Sequence, residues 1–258
     1  MELLLGRDQG LVRAKAMVWG DVSLELEALL TDDSIPDGGA LLVVSARIFH
    51  ASPGSFISFG PSGAVLRRGE GRDLRVWHPG ILSFSRPISL WRPLRVGVLT
   101  VSDKGSRGER RDTAGPALEA AARAIGGDVT CRQVVPDEED LLVNTIAAWA
   151  DREECHIILI TGGTGFSPRD LTPEALEKVA TRFVPGLGEA MRQVSSGRSP
   201  RAPLSRGGAV LRNQTLILAL PGSERGAVEC FRAVAPMLRH GVEIAQGWEG
   251  ECGGHGHA

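Results

Sequence analysis

Thr161-Gly162-Gly163-Thr164-Gly165-Phe166-Ser167-Pro168-Arg169-Asp170-Leu171-Thr172-Pro173-Glu174 is the stretch on which the reading of this chain turns. Ahead of it runs Ile157-Ile158-Leu159-Ile160, short, apolar and mostly β-branched, the pattern of a strand buried on both faces of a sheet. The chain must then leave the sheet. Three glycines among the five residues Thr161 to Gly165 permit positive φ and let backbone N–H groups approach a ligand with no Cβ in the way, as gripping phosphate oxygens requires. Thr161 and Thr164 add hydroxyl donors. Asp170 is out of place beside a phosphate unless a cation lies between them, so it reads as a magnesium ligand. Thr172-Pro173-Glu174 reads as a helix start, with Thr172 as N-cap and Pro173 at the first helical position.

Taken whole, the string resembles the MogA/MoaB family of molybdenum-cofactor biosynthesis, whose active-site loop has the form T-G-G-T-G-x-x-x-R-D-x-T-P-E/D. CinA-type relatives typically carry leucine after the second glycine and a second acidic residue at the position of Arg169, and MoeA-type domains carry a serine- and valine-containing version. Thr164 and the Arg169-Asp170 pair favour the MogA/MoaB branch.

A chain of 258 residues is long enough for two ordinary domains, each with its own core. A formal net charge of -2 gives no global basic field for nucleic acid or an anionic membrane, so phosphate binding must be local. Cys131, Cys155, Cys230 and Cys252 lie far apart without C-x-x-C spacing, which implies neither zinc nor a disulfide framework and fits a reducing cytoplasm. Leu3 to Leu5 is too short for a signal-peptide core, and no transmembrane run is visible.

Residues 1 to 92 show short strand-like runs between turn residues, which suits a small β-rich domain of barrel or sandwich type. Ala40 to Ile48 is its strongest strand, and Ser23 to Leu30 fits either helix or strand. Asp37-Gly38-Gly39, Ser52-Pro53-Gly54, Gly60-Pro61-Ser62-Gly63 and Gly69-Glu70-Gly71 read as its turns. His50 and His78 are loose ligand candidates there, without a motif around them. Ser85 to Pro93, with two prolines, reads as the linker. From 93 to 247 apolar strands alternate with periodic helices, the pattern of an α/β domain with a mainly parallel sheet and helices on both faces. Residues 248 to 258, with Cys252, His255 and His257, read as a flexible tail.

Further motifs follow in family order. Leu94 to Val101 is a strand running into Ser102-Asp103-Lys104-Gly105-Ser106-Arg107-Gly108, which resembles the family's S-D-x-x-S-x-G loop; Asp112 and a helix from Ala114 to Ile125 come next. Val129 to Val135 hands over to Pro136-Asp137-Glu138, which resembles P-D-E, and a helix with Leu142, Ile146 and Trp149 on one face follows. In an open parallel sheet the carboxyl ends of the strands line the ligand crevice, so Asp137 and Asp170 should both face it. Pro185-Gly186 with Glu189 and Arg192 resembles P-G-x-x-E-x-M-R, although Glu189 and Arg192 would equally suit a surface ion pair. Leu204-Ser205-Arg206 resembles L-S-R. Ala209 to Arg212 and Thr215 to Leu220 flank Asn213-Gln214 as a hairpin, before Pro221-Gly222-Ser223 and a closing amphipathic helix. The family usually shows Asn-Leu-Pro-Gly here, where this chain has Ala219.

The resemblance implies a molybdopterin adenylyltransferase using ATP and magnesium, usually a homotrimer, cytoplasmic, working with other cofactor-biosynthesis proteins and with neither nucleic acid nor membrane. It implies that Asp137 and Asp170 are catalytic and hold the metal. Substrate contacts would come from Ser102, Asp103, Thr161, Gly162, Gly163, Thr164, Gly165, Arg169, Thr172, Glu174, Pro185, Gly186, Glu189, Arg192, Ser205, Arg206, Pro221, Gly222 and Ser223. A carrier that binds molybdopterin without adenylylating it, through an N-terminal docking domain, is the alternative.

Overall fold

Ile157–Thr161 forms a strand, β12, that is buried along its whole length, because it lies between β10 (Leu94–Val101) and β15 (Thr215–Leu220) in the middle of a six-stranded sheet. The computed structural model describes residues 2–5, 11–19, 23–30, 41–45, 52–58, 65–68, 73–78, 80–83 and 89–248. The chain divides into two units, Met1–Pro93 and Leu94–Ala258.

In the second unit the strand order is β11 (Gly127–Val135), β10, β12, β15, β14 (Ala209–Arg212), β13 (Arg182–Phe183). The first four are parallel; on the far edge β14 pairs antiparallel with β15, and β13 antiparallel with β14. Strands flanked on both sides and covered on both faces read as continuous apolar runs, which is why β12 and β15 carry no alternation. One face packs Val96, Val98, Leu159, Leu216 and Leu218 against α2 (Ala114–Ala124), α5 (Pro185–Ser196) and α6 (Glu224–Gln246). The other packs Leu99, Ile158, Ile160 and Ile217 against α3 (Glu139–Asp151) and α4 (Thr172–Val179). Gly97 is required because the Trp149 ring lies where its Cβ would be, 2.6 Å away.

Helix α2 stops at Gly126, whose φ of 84° ends the helical path, and Gly127 already belongs to β11. Asn213 takes φ 53° at the β14–β15 turn, as expected of an Asn-led hairpin. Pro173 lies in the first turn of α4 as read, but Thr172 is not its N-cap: Leu171 holds that position, and the Thr172 hydroxyl donates to Gly162 O at 2.9 Å instead. Thr172 already lies inside the first turn, and its hydroxyl donates to the buried loop carbonyl while capping no helix N–H.

In the first unit the described strands form two antiparallel sheets: β1 (Glu2–Leu5) with β8 (Gly80–Ser83), and the order β4 (Leu41–Ser45), β3 (Ser23–Leu30), β2 (Leu11–Trp19), β7 (Asp73–His78), β6 (Val65–Arg68), β5 (Phe56–Ser58), β9 (Ser89–Trp91). The ambiguous Ser23–Leu30 run is a strand, paired along its length with β2. Ser89–Trp91, read as linker, instead pairs with β5, since neither flanking proline must donate within the three residues that join the ladder. Ser52-Pro53-Gly54 is a turn, closed by Ser55 N–H to Ser52 O at 3.0 Å. His50, the three other Gly-containing turns and the Cys252, His255 and His257 tail lie outside the described residues. No helix among the described residues is long and apolar enough to cross a membrane.

Candidate active site

From β10 the chain goes first to β11 on one side and then to β12 on the other, so the sheet order reverses between β10 and β12. Ligand crevices of open α/β sheets form at such a point, outside the carboxyl ends of the strands. Val101, Thr161 and Leu220 end their strands there, and the Gly-rich loop crosses between them. Gly162 has φ 105° and no room for a side chain, since a Cβ would run into the Val101 carbonyl. Gly163 has φ 61°, and its missing Cβ would lie 2.7 Å from Asp137 Oδ2. These glycines serve close packing of three loops as much as approach of a ligand.

The loop is tied from every side. The Thr161 hydroxyl donates to Pro221 O at 2.7 Å, and the Thr172 N–H to Gly163 O at 3.1 Å. Arg206 does most of this holding: its N–H donates to Thr164 O at 2.9 Å, Nε to Gly165 O at 2.7 Å, Nη2 to Asp170 O at 2.6 Å, and Nη1 pairs with Glu174 at 2.5 Å. The guanidinium holds the Glu174 carboxyl below its ordinary pKa, against an opposing effect of burial. Arg206, Glu174, Thr161 and Thr172 therefore position the loop. With the loop so pinned, the backbone N–H groups of Gly163, Thr164, Gly165 and Phe166 donate to no other described residue. Four consecutive unpaired donors in a rigid turn form an anion cradle.

The carboxylates gather beside it. Asp137, 7% exposed, accepts the Leu171 N–H on Oδ1 at 3.0 Å, and its own N–H donates to Asp103 Oδ1 at 3.1 Å. Asp170 Oδ2 accepts the Ser167 N–H at 2.9 Å. Burial pushes the Asp137 carboxyl above the ordinary range; the Leu171 N–H opposes this, and the charges of Asp170 and Asp103 add to it. Asp103 is held below the ordinary range chiefly by the Asp137 N–H and then by Arg169, whose Nη2 lies 2.8 Å from each of its oxygens. The sequence-predicted pair of aspartates is thus brought together with a third.

Other expected residues take different places. Ser102 caps the short helix α1 (Asp103–Ser106), accepting from Gly105 N at 3.0 Å, and Ser223 caps α6, accepting from Gly226 N at 3.3 Å. Gly222 lies against Gly162, within 3.2 Å of its Cα for an added Cβ. Pro185 and Gly186 open α5, exposed, and Glu189 is exposed with no ion pair to Arg192 among the described residues. Arg192 instead donates to Gly207 O at 2.8 Å and, with Ser205, lines a cavity of ≈ 50 Å³. Met191, part of the P-G-x-x-E-x-M-R match, also lines it, as do Ser195 and Cys230, which escaped the sequence reading although Ser195 stands one helical turn beyond Met191. Ala219 lines the cavity and belongs to the apolar cluster with Leu99, Ile160 and Ile217. The side chain that differs from the family pattern thus lies on the sheet face covered by α3 and α4.

Residues 97–240 match the family described as "Probable molybdopterin binding domain". The chain belongs to this family. It is similar to the molybdopterin adenylyltransferase of Escherichia coli K12, 41% identical over 156 residues, 58% of this chain and 80% of that one. The Helicobacter pylori 26695 protein of the same name is 37% identical over 60% of this chain and 89% of that one. The Drosophila melanogaster molybdenum cofactor synthesis protein cinnamon is 40% identical over 149 residues, only 25% of its length. Among solved structures, the molybdopterin biosynthesis enzyme MoaB of Thermus thermophilus aligns with TM-score 0.57 and 48% identity, over 60% of this chain and 97% of that one. The matched span in the molybdopterin-binding family is the α/β unit, cradle and carboxylates included, and the fold expected from resemblance is the fold found.

Proposed function

We propose that the α/β unit is a molybdopterin adenylyltransferase, moving AMP from ATP to the terminal phosphate of molybdopterin in molybdenum- or tungsten-cofactor synthesis. The observation that carries this is the run of four N–H groups, Gly163 to Phe166, unpaired among the described residues, beside the Asp137 and Asp170 carboxylates at the strand-order reversal. An oxygen of the molybdopterin phosphate attacks the α-phosphorus of ATP, a new P–O bond forms, and the bond to the β-phosphate oxygen breaks with its electron pair leaving on pyrophosphate. The attacking group is already anionic, so no general base is needed. Catalysis then rests on positioning and on charge stabilisation.

The cradle N–H groups would hold phosphate oxygens without reorganising, because Arg206 and Thr172 have already ordered them. Arg192 and Ser205 would contribute polar contacts to the molybdopterin beside the cradle. The residues fit magnesium: Asp137 Oδ2 and Asp170 Oδ1 accept no hydrogen bond from the described residues, and both are hard oxygen donors. Among the described residues no third His, Cys, Asp or Glu completes a protein-only metal cage, which suits an ion that takes its other ligands from phosphate and water. Bound there, magnesium would neutralise charge on the leaving pyrophosphate.

A homotrimer, as in the family, is part of this proposal; Phe183, Leu204 and Ile244, each at least half exposed, leave apolar surface on the unit for such contacts. Action in the cytoplasm fits the free thiols of Cys131, Cys155 and Cys230. Incubation with ATP, magnesium and molybdopterin should release pyrophosphate in proportion to adenylylated product. Tight molybdopterin binding with no pyrophosphate above a protein-free control would replace the enzyme by a carrier.

A further inference from the structure

Arg169, on the loop after β12, and Asp103, at the start of α1 after β10, meet across the mouth of the crevice. Arg169 reaches both oxygens of Asp103 with a single nitrogen, Nη2, at 2.8 Å each, so Nη1 and Nε are left without a hydrogen bond among the described residues. The pair is open to water, with side-chain exposures of 64% for Arg169 and 30% for Asp103. Exposed pairs of this kind hold weakly. Arg169 also follows the four unpaired cradle donors by only three residues, on a loop pinned before it by Arg206 to Gly165 O and after it by Leu171 N–H to Asp137. The backbone at Arg169 is fixed while the head of its side chain is free to exchange partners.

We propose that Arg169 is a positioning residue that changes anions: it is held by Asp103 in the ligand-free protein and passes to a phosphate of the incoming polyphosphate when the cradle fills. A phosphate offers the planar guanidinium two oxygens in fork geometry, which a single-nitrogen contact to Asp103 does not use. Asp103 does not lose all its partners when Arg169 leaves, because the Asp137 N–H still donates to it at 3.1 Å. The nearby cation Arg107 is engaged by Glu109 at 2.7 Å. Asp103 thereby sets a threshold: an anion must outcompete it to gain Arg169, which favours polyphosphate over single, weaker anions. This inference rests on the phosphate-cradle reading above.

The test uses the full chain, inorganic pyrophosphate as probe, magnesium-free buffer and titration calorimetry. Asp103→Asn keeps the Oδ1 acceptor for the Asp137 N–H but releases Arg169, and should tighten pyrophosphate binding at least about threefold, the scale of removing an exposed ion-pair competitor. Arg169→Gln should weaken it, and in that background Asp103→Asn should confer no gain. An equal gain with and without Arg169 would mean that Asp103 acts only through its charge, and the exchange would be refuted; so would no gain at all. A second measurement needs no substitution in the protein observed: in wild-type protein labelled at arginine, the Arg169 guanidinium resonance, assigned by its loss in Arg169→Gln, should shift at saturating pyrophosphate. An unmoved resonance overturns the proposal. Wild-type binding with these arms failing removes only the exchange, whereas no pyrophosphate binding by any variant removes the cradle reading and the exchange with it.

Discussion

Replacing Arg206 by methionine keeps the aliphatic stem and deletes three guanidinium contacts, those to Gly165 O, Asp170 O and Glu174. Charge-assisted hydrogen bonds contribute about 1.5 to 3 kcal/mol each when well buried. Here the Arg206 side chain is 33% exposed and Glu174 39%, so water replaces part of what is lost. The sum belongs near about 2 to 4 kcal/mol rather than at the upper bound. Part of that cost is the stranded Glu174 carboxylate, whose Oε2 is buried and already without a hydrogen bond among the described residues. Glu174→Gln added to Arg206→Met should therefore recover some stability, with a coupling of about 0.5 to 2 kcal/mol. Urea unfolding followed on the α/β unit measures the stability, and pyrophosphate release measures the loop. Turnover should fall more than stability explains at conditions where the protein stays folded, because the N–H groups of Gly163 to Phe166 lose their fixed aim. Arg206→Met within about 0.5 kcal/mol of wild type and with normal turnover would show that the loop is held by its own backbone.

Asp170→Asn retains an acceptor for the Ser167 N–H but loses charge, so turnover should fall by about two orders of magnitude or more while molybdopterin binding survives; parallel loss of binding in equilibrium titration would make Asp170 a structural cap. Asp137→Asn should be inactive yet more stable than wild type at neutral pH in the same unfolding assay. The folded pKa of Asp137 is raised, so its ionised form costs stability above its ordinary value of 3.8 and Asn removes that cost while still accepting the Leu171 N–H; a destabilised variant would contradict the assignment. Glu174 behaves oppositely: its folded pKa is lowered, so its stabilisation is present above the ordinary 4.5 and lost as pH falls through the folded value, and Glu174→Gln should flatten the acid limb of the stability profile there. Gly162→Ala, at φ 105° and against the Val101 carbonyl, should abolish turnover and lower stability measurably by thermal melting; normal activity would show that the loop has another conformation within reach.

The α/β architecture was legible because its strands and helices announce themselves locally: β12 and β15 as unbroken apolar runs, α3 by Leu142, Ile146 and Trp149 at helical spacing. The loop from Thr161 to Glu174 was legible as a phosphate loop because glycine, hydroxyl and carboxylate at close spacing have few other uses. Tertiary structure alone decided what each polar side chain is for. Arg206 and Glu174, expected from the resemblance among the substrate contacts, face each other 32 positions apart and hold the loop. Thr172 looks like a cap and is a tie to Gly162 O, Ser102 looks like a pocket residue and is a cap, and Arg169 meets an aspartate 66 positions away. Backbone periodicity follows from burial, which neighbours in sequence report on, so fold could be read from the chain. The partner of a long, flexible, charged side chain is chosen by whichever loops the sheet brings to its carboxyl edge, and strand order, not local sequence, makes that choice.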